Sequence, residues 1–222
     1  MRTLILVENL SVPFDRRVWQ EAQALREAGA SVTVICPRGS GRDMPLFEQR
    51  DGVDIYRYSL PTAAGGPTGY VREYGVAFTR TARLVRHVAQ KGAVEVVHAC
   101  NPPDLLFMTA LWLRRRGARF IFDQHDLVPE LVLSRFGEDR RLLYRVALRA
   151  ERLTFAFADV VIATNESYRA IDIKRNGAAP ERVHLFANTI DVEGFGEDAA
   201  RLEARRPEIG RASCRERVFR TV

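Results

Sequence analysis

Long apolar runs are missing from this 222-residue chain. No segment approaches the roughly 18 consecutive apolar residues that a membrane-spanning helix needs. At the amino terminus Arg2 precedes only Thr3–Val7 before Glu8 closes the stretch, too short for a signal-peptide core. The expected compartment is the cytoplasm. Cysteine is scarce as well: Cys36, Cys100 and Cys214 stand far apart, which excludes a disulfide framework and a zinc knuckle. The first two fall at expected strand ends and read as small buried thiols. Lysine is nearly absent. Arginine makes up 32 of the 34 basic residues, a bias that fits GC-rich coding better than phosphate recognition.

The formal net charge is +6, but residues 201–222 hold seven arginines against three acids, leaving only +2 on residues 1–200. A nucleic-acid footprint is a basic stripe on a folded face, so a basic tail gives no reason to expect nucleic acid as a partner. No Gly-x-Gly-x-x-Gly and no Gly-x-x-x-x-Gly-Lys-Ser/Thr run follows any apolar stretch. Nicotinamide-dependent and P-loop chemistries thereby lose their main support. No nucleophile elbow or zinc spacing is present either. His125 with Asp123 and Asp126 makes a poor metal set, because no further ligand follows at helical spacing.

What the chain does contain is alternation. Apolar runs at Leu4–Val7, Ser31–Cys36, Val53–Tyr58, Val94–Val97, Arg119–Phe122, Val160–Ala163 and Val183–Phe186 are separated by helix signals. Asp15 is placed to cap a helix ending at Gly29, and Asn165 one ending at Asn176-Gly177. Asn101 followed by Pro102 reads as a third helix start. Further helices are expected over about 70–90 and 138–157. Residues 38–52 read as a surface loop, and Val53–Tyr58 as a half-covered edge strand. Trp19 and Trp112 read as packing residues. The expectation is an α/β fold: a single Rossmann-like domain over 1–187 with a mostly parallel, roughly seven-stranded sheet and helices on both faces.

Four of the runs break off into polar clusters: Glu8-Asn9, His98 to Asp104, Asp123 to Asp126, and Thr164 to Ser167. In a parallel sheet these ends share one edge, and ligands bind outside it. His125, beside Asp126, can bond a sugar hydroxyl or handle a proton near neutral pH. A loop histidine that merely caps Glu130 or the next helix explains the position equally well. His98 sits one residue too early and can point into the core. Asp15, Asn101 and Asn165 would aim three helix amino termini at the rim, which suits an anionic or polyhydroxylated ligand; each taken singly is explained by capping alone. Arg141, Arg145, Arg149 and Arg152 fall on one helix at helical spacing. Such a face can rest on anionic lipid at the inner side of the membrane, and equally can be a solvated surface.

The run Glu8-Asn9-Leu10-Ser11-Val12-Pro13-Phe14-Asp15-Arg16-Arg17-Val18-Trp19-Gln20-Glu21-Ala22, followed by Val32 to Pro37, resembles family 4 retaining glycosyltransferases of the two-domain GT-B fold. It is similar to bacterial members that build surface polysaccharides. Asn101-Pro102-Pro103-Asp104 and His125-Asp126-Leu127-Val128-Pro129-Glu130 fit the same group. Asn188, Asp191 and Phe195 resemble the family's Pro-Asn-Gly-Val-Asp-x-x-x-Phe hinge over 188–196, with Ala187, Thr189 and Ile190 as departures. The resemblance covers about residues 1–196.

It implies that this half holds the acceptor, a saccharide or lipid-linked saccharide, and that a histidine at His125 meets the donor sugar. Substrate contacts are implied at Asn9, Pro13, Asp15, Arg16, Asn101, Asp104, Asp126, Glu130, Asn165 and Glu166. The donor is a UDP- or GDP-sugar, a substrate rather than a cofactor, and transfer needs no cofactor and no metal. The nucleotide belongs to a carboxyl-terminal half with a Glu-x7-Glu segment. Glu208 and Glu216 have that spacing, but no strand and glycine turn precede them, and 197–222 reads as non-native or disordered. The expected polypeptide is thus the first half of a transferase, with little or no activity alone. A nucleotide-sugar epimerase of the same fold and a binding subunit of a split transferase are the alternatives.

Overall fold

Apolar strands bounded by amphipathic helices bury both of their faces, which favours a parallel sheet between helical layers. The computed structural model describes residues 1–39, 44–60, 67–137 and 139–186. The expected hinge residues Asn188, Asp191 and Phe195, and the tail, lie outside the described residues. Eight strands form one sheet: β1 (Arg2–Leu6), β2 (Ser31–Pro37), β3 (Phe47–Arg50), β4 (Val53–Tyr58), β5 (Val96–Cys100), β6 (Arg119–Gln124), β7 (Val160–Ala163) and β8 (Val183–Leu185). Their spatial order is β3-β4-β2-β1-β5-β6-β7-β8, and every neighbouring pair is parallel except β3 with β4.

Strand alternation divides the core. Ile5, Val7, Val32, Val34, Val53 and Ile55 pack with Val18 and Ala22 of α1 (Arg16–Glu27), with Trp19 against them. On the other face Leu4, Leu6, Val97, Phe120, Phe122 and Val161 meet α2 (Pro67–Gln90), α3 (Phe107–Arg114) and α5 (Arg141–Phe157). Phe120, Phe122 and Phe155 are fully buried; each contributes roughly 1.5–3 kcal/mol relative to exposure. Two further helices, α4 (Val128–Phe136) and α6 (Glu166–Asn176), flank the β6 and β7 side.

From β1 the chain steps outward through β2 to β4, then crosses back to β5 on the opposite side of β1. The order reverses between β1 and β5, and the crevice at their carboxyl ends is where such sheets bind ligands.

Several expectations change. The supposed loop 38–52 contains β3, so β4 is an interior strand rather than the sheet edge. Asp51 (φ 47) and Gly52 (φ 77) make the two-residue turn that pairs Arg50 with Val53, a type I′ geometry that an Asp-Gly pair favours. Asn101 caps no helix: Pro103 remains extended, a 3-10 turn begins at Asp104, and α3 starts only at Phe107. Consecutive prolines explain this, because a residue before proline is driven out of the helical region. The helix expected from 138 begins at Arg141, and α4 precedes it, ended by Gly137 at φ 85. Strands β5 and β6 run to Cys100 and Gln124, which places His98, Asp123 and Gln124 inside strands.

Candidate functional site

The loop after β1 forms one bank of the crevice. Arg57 of β4, only 2% exposed, donates to the Val12 carbonyl at 2.8 Å and pairs with Glu48 at 2.7 Å. The loop is thereby tied to the sheet from below. Asp15 caps α1, accepting from the Val18 amide at 3.2 Å, and is buried. Asn9 and Arg16 are exposed, and Pro13 is half-buried. Glu8 is buried at the end of β1. Burial, then the charge of Glu73, push its carboxyl up to about 8.

Asn101, at the end of β5, has its whole side chain committed to the next loop. Its Oδ1 accepts from the His125 amide at 2.7 Å and the Asp126 amide at 3.1 Å. Its Nδ2 donates to the Asp126 carbonyl at 2.7 Å and to Asp104 Oδ1 at 3.0 Å. Asn101 is 2% exposed and Asp104 3%, so both shape the loop carrying His125. The Asp104 carboxyl rises to about 7, chiefly through burial, and the nearby Glu151 charge adds to the rise.

The His125 ring turns away from its neighbour Asp126. Its Nε2 lies 2.9 Å from Asp123 Oδ2. Asp123 and His125 are two residues apart, and strand alternation puts them on one side of the sheet. The register opposite Asp123 brings Cys100 to the same place, with His98 two residues before it. His98 Nε2 reaches Asp123 Oδ2 at 3.3 Å. From above, α1 contributes Arg17 and Glu21. Arg17 Nη2 donates to Asp123 Oδ1 at 2.8 Å, and its Nε lies 3.1 Å from Glu21.

The charges follow from that packing. Burial opposes ionisation of Asp123, but the His125 and His98 hydrogen bonds hold its carboxyl well below the usual range. Burial opposes the charged form of His98 as well, yet Asp123 and Glu21 keep its pKa raised. Glu21 is pushed to about 7, first by burial, while His98 pulls against the rise.

The ligand atoms of Glu21, His98, Cys100 and Asp123 all lie within 4.8 Å of one another, a set of types that can hold a metal. Arg17 already supplies a cation to both carboxylates, and a divalent ion would have to share them with it.

Among the described residues, the remaining expected residues make their hydrogen bonds with partners other than His125. Asn165 caps α6, accepting from Tyr168 at 2.9 Å, and Glu166 is exposed. Glu130 pairs with Arg175, which also donates to Glu151 at 2.6 Å. The Tyr168 phenol is raised by burial, then by the Asp126 and Glu130 charges. Sequence reasoning missed Arg17, Asp123, Glu21 and Glu8 as site residues and ranked His98 low. The period of two from Asp123 to His125 was the available signal for one of them.

A family model described as a glycosyl transferase 4-like domain matches residues 15–189. No curated protein matches the chain in sequence. Among solved structures, sucrose-phosphate synthase from Thermosynechococcus elongatus is similar with a TM-score of 0.67 at 15% identity, over 91% of this chain and 52% of that one. A trehalose-6-phosphate protein from E. coli, bound with UDP-2-fluoro glucose, follows with a TM-score of 0.60 at 15% identity, over 94% and 54%. The catalytic domain of starch synthase IV from Arabidopsis thaliana, bound to ADP and acarbose, gives 0.56 at 12% identity, over 87% and 52%. At such identities the likeness is one of fold. The chain spans about half the length of these three.

Proposed function

The chain belongs to the glycosyl transferase 4-like domain family, and we propose that it is the acceptor-side half of a retaining transferase acting in surface polysaccharide synthesis. The donor is a UDP- or GDP-sugar, and the acceptor is a saccharide or a lipid-linked saccharide. In the transfer the anomeric carbon loses its bond to the diphosphate oxygen and gains one to an acceptor hydroxyl. The bonding electrons leave with the nucleotide diphosphate, and the hydroxyl proton ends on the departing phosphate. The nucleotide is assigned to the carboxyl-terminal half of such a transferase. The observation that carries the reading is His125, anchored by Asp123 at 2.9 Å on the carboxyl rim of the sheet, past β6 and one strand from where the order reverses. A fixed imidazole there can bond a hydroxyl of the donor sugar as positive charge develops on its ring, a preorganised contact of the kind that lowers barriers most.

In the full-length protein, His125→Ala should lower kcat/KM for sugar transfer by about 10²- to 10³-fold. Its urea midpoint should fall only modestly, because the buried Asp123 loses one donor while Arg17 and His98 remain. Wild-type turnover would remove His125 from the mechanism.

The lipid side of the proposal rests on α5. Leu142, Val146 and Leu153 are exposed at 75%, 58% and 44%, amid Arg141, Arg145, Arg149 and Arg152. Arg145, Leu148, Arg149, Arg152 and Leu153 line a cavity of about 460 Å³ there. Among the described residues no helix is long and apolar enough to cross a membrane. A face of this composition suits anionic headgroups, which supports the reading of α5 as a contact with lipid. Arg145→Glu with Arg149→Glu should release the chain from phosphatidylglycerol vesicles in flotation. Unchanged flotation would leave α5 as a solvated face.

A further inference from the structure

The geometry points to Asp123 as the positioning residue that fixes which nitrogen of His125 a substrate meets. This rests on the reading of His125 as the sugar-contacting group. His125 is held at two points. Its backbone amide donates to Asn101 Oδ1 at 2.7 Å, and its Nε2 sits 2.9 Å from Asp123 Oδ2. An ionised carboxylate only accepts, so the nitrogen facing it must carry the proton. A neutral imidazole so held has Nε2–H toward Asp123 and its lone pair at Nδ1. Among the described residues nothing bonds Nδ1. That atom is left to accept a hydrogen bond from a sugar hydroxyl.

Asp123 must remain anionic to hold that proton on Nε2, and α1 provides for it. Asp123 is fully buried. Arg17 donates to both of its oxygens, Nη2 to Oδ1 at 2.8 Å and Nε to Oδ2 at 3.3 Å. Arg17 is itself fixed: Nη1 donates to the Phe186 carbonyl at 2.8 Å, and the guanidinium lies 5.1 Å from the Phe186 ring centre. His98 approaches the same Asp123 oxygen at 3.3 Å and lies 3.7 Å from Glu21. A guanidinium and a second imidazole therefore surround the carboxylate before His125 is counted.

The tautomer can be read directly on the ¹⁵N-labelled chain by long-range ¹H–¹⁵N correlation, without substrate. The chain has four histidines, and loss of one pattern in His125→Gln assigns the ring. The spectrum is recorded at about pH 9, where an ordinary imidazole is neutral. The expected pattern is a protonated Nε2 and a bare Nδ1. In Asp123→Asn, whose amide can also donate, the fixed pattern should give way to a tautomer mixture. A wild-type ring with the proton on Nδ1, or one protonated on both nitrogens throughout, overturns the proposal, as does an Asp123→Asn ring that keeps the wild-type pattern. Should the variant not fold, the wild-type spectrum still decides. The two readings fail separately. An Nε2–H ring with full turnover in His125→Ala would sink the transferase role and leave the positioning intact. The opposite tautomer with turnover lost would do the reverse.

Discussion

Two buried ionic clusters flank β6, and they are built to different ends. In one, Asp123 gathers Arg17, His98 and His125 at the carboxyl edge, and the His125 side chain keeps 18% of its surface open. In the other, Glu151 of α5 is 1% exposed. It takes Arg175 at 2.6 Å and Asn176 at 3.1 Å, both from α6. The Gln124 amide donates to Glu151 at 3.3 Å or, turned over, to Asp172 at 2.9 Å. Arg175 also holds Glu130 of α4. The second cluster ties three helices and a strand together, although Glu130 Oε2, Glu151 Oε2, Arg175 Nε and Asn176 Oδ1 stay buried without a hydrogen bond. In the first, nothing among the described residues bonds Nδ1 of His125. Burial, charge and an unmatched polar atom do not by themselves distinguish a site from a brace; the place of His125 just past the end of β6, on the carboxyl edge of the sheet, does.

The sharpest way to break the comparison is Arg175→Met. It would strand the Glu151 carboxylate in the core, and removing one partner of a buried pair costs about 3–5 kcal/mol. Urea denaturation should show that loss, and adding Glu151→Gln should recover part of it. A cost below about 1 kcal/mol would mean the brace carries no load, and the two clusters would then be alike.

The buried carboxyls differ in their response to pH. Burial, then the Glu151 charge, push Asp172 up to about 7; Asp104 also reaches about 7, through burial first, with the Asn101 hydrogen bond pulling against the rise and the Glu151 charge adding to it. A carboxyl raised on folding stabilises fully below its unfolded value near 3.8, and that stability is lost as pH rises through about 7. Asp123 has the opposite sign. Its folded value is depressed, so its contribution is present above the unfolded value and lost only as pH falls through the folded one. Between about pH 4 and 7 unfolding free energy should therefore fall, through Asp172 and Asp104 beside Glu151, through Glu21 in the Asp123 cluster, and through Glu8. Asp172→Asn should remove about 1–3 kcal/mol of that fall. An unaltered slope would show that Asp172 titrates normally and that its surroundings are wetter than its burial implies.

The sheet was legible because apolar runs of strand length alternated with capped helices; Asp15 and Asn165 cap α1 and α6 where their positions say they should. His125 was legible as a rim residue for the same reason. Its partner was not. Arg17 and Asp123 are 106 positions apart, and no spacing rule joins a helix's first turn to the end of a strand on the far side of β1. Reading β6 as ending at Phe122 put Asp123 in the loop and left Asp126 as the natural carboxylate for the ring. The Asp51-Gly52 hairpin was written in the sequence but hidden by the glycines and proline around it, which make the whole stretch look like loop. Asn101 misled because asparagine before proline signals a helix start, whereas a second proline cancels it.

Asn101 is also the joint between the two clusters, and it supplies the smallest and most discriminating test. One oxygen holds the His125 and Asp126 amides, and the nitrogen reaches Asp104, whose carbonyl accepts from Thr154 of α5 at 2.9 Å. Asn101→Ala leaves two loop amides and a buried carboxyl short of partners, which costs about 1–3 kcal/mol. If the joint only stabilises, urea midpoints should fall while the His125 tautomer stays as in the wild type. If it also sets where the loop stands, Asn101→Asp should separate the effects. Asp keeps both acceptor bonds to the loop amides but places a second carboxylate against Asp104. It should therefore hold the His125 ring in place while raising the Asp104 pKa further, and lose stability chiefly above about pH 5. A uniform loss at all pH values would put the cost on the Asp126 carbonyl, which loses the Nδ2 donor and meets an oxygen instead, with no pH-dependent share from Asp104.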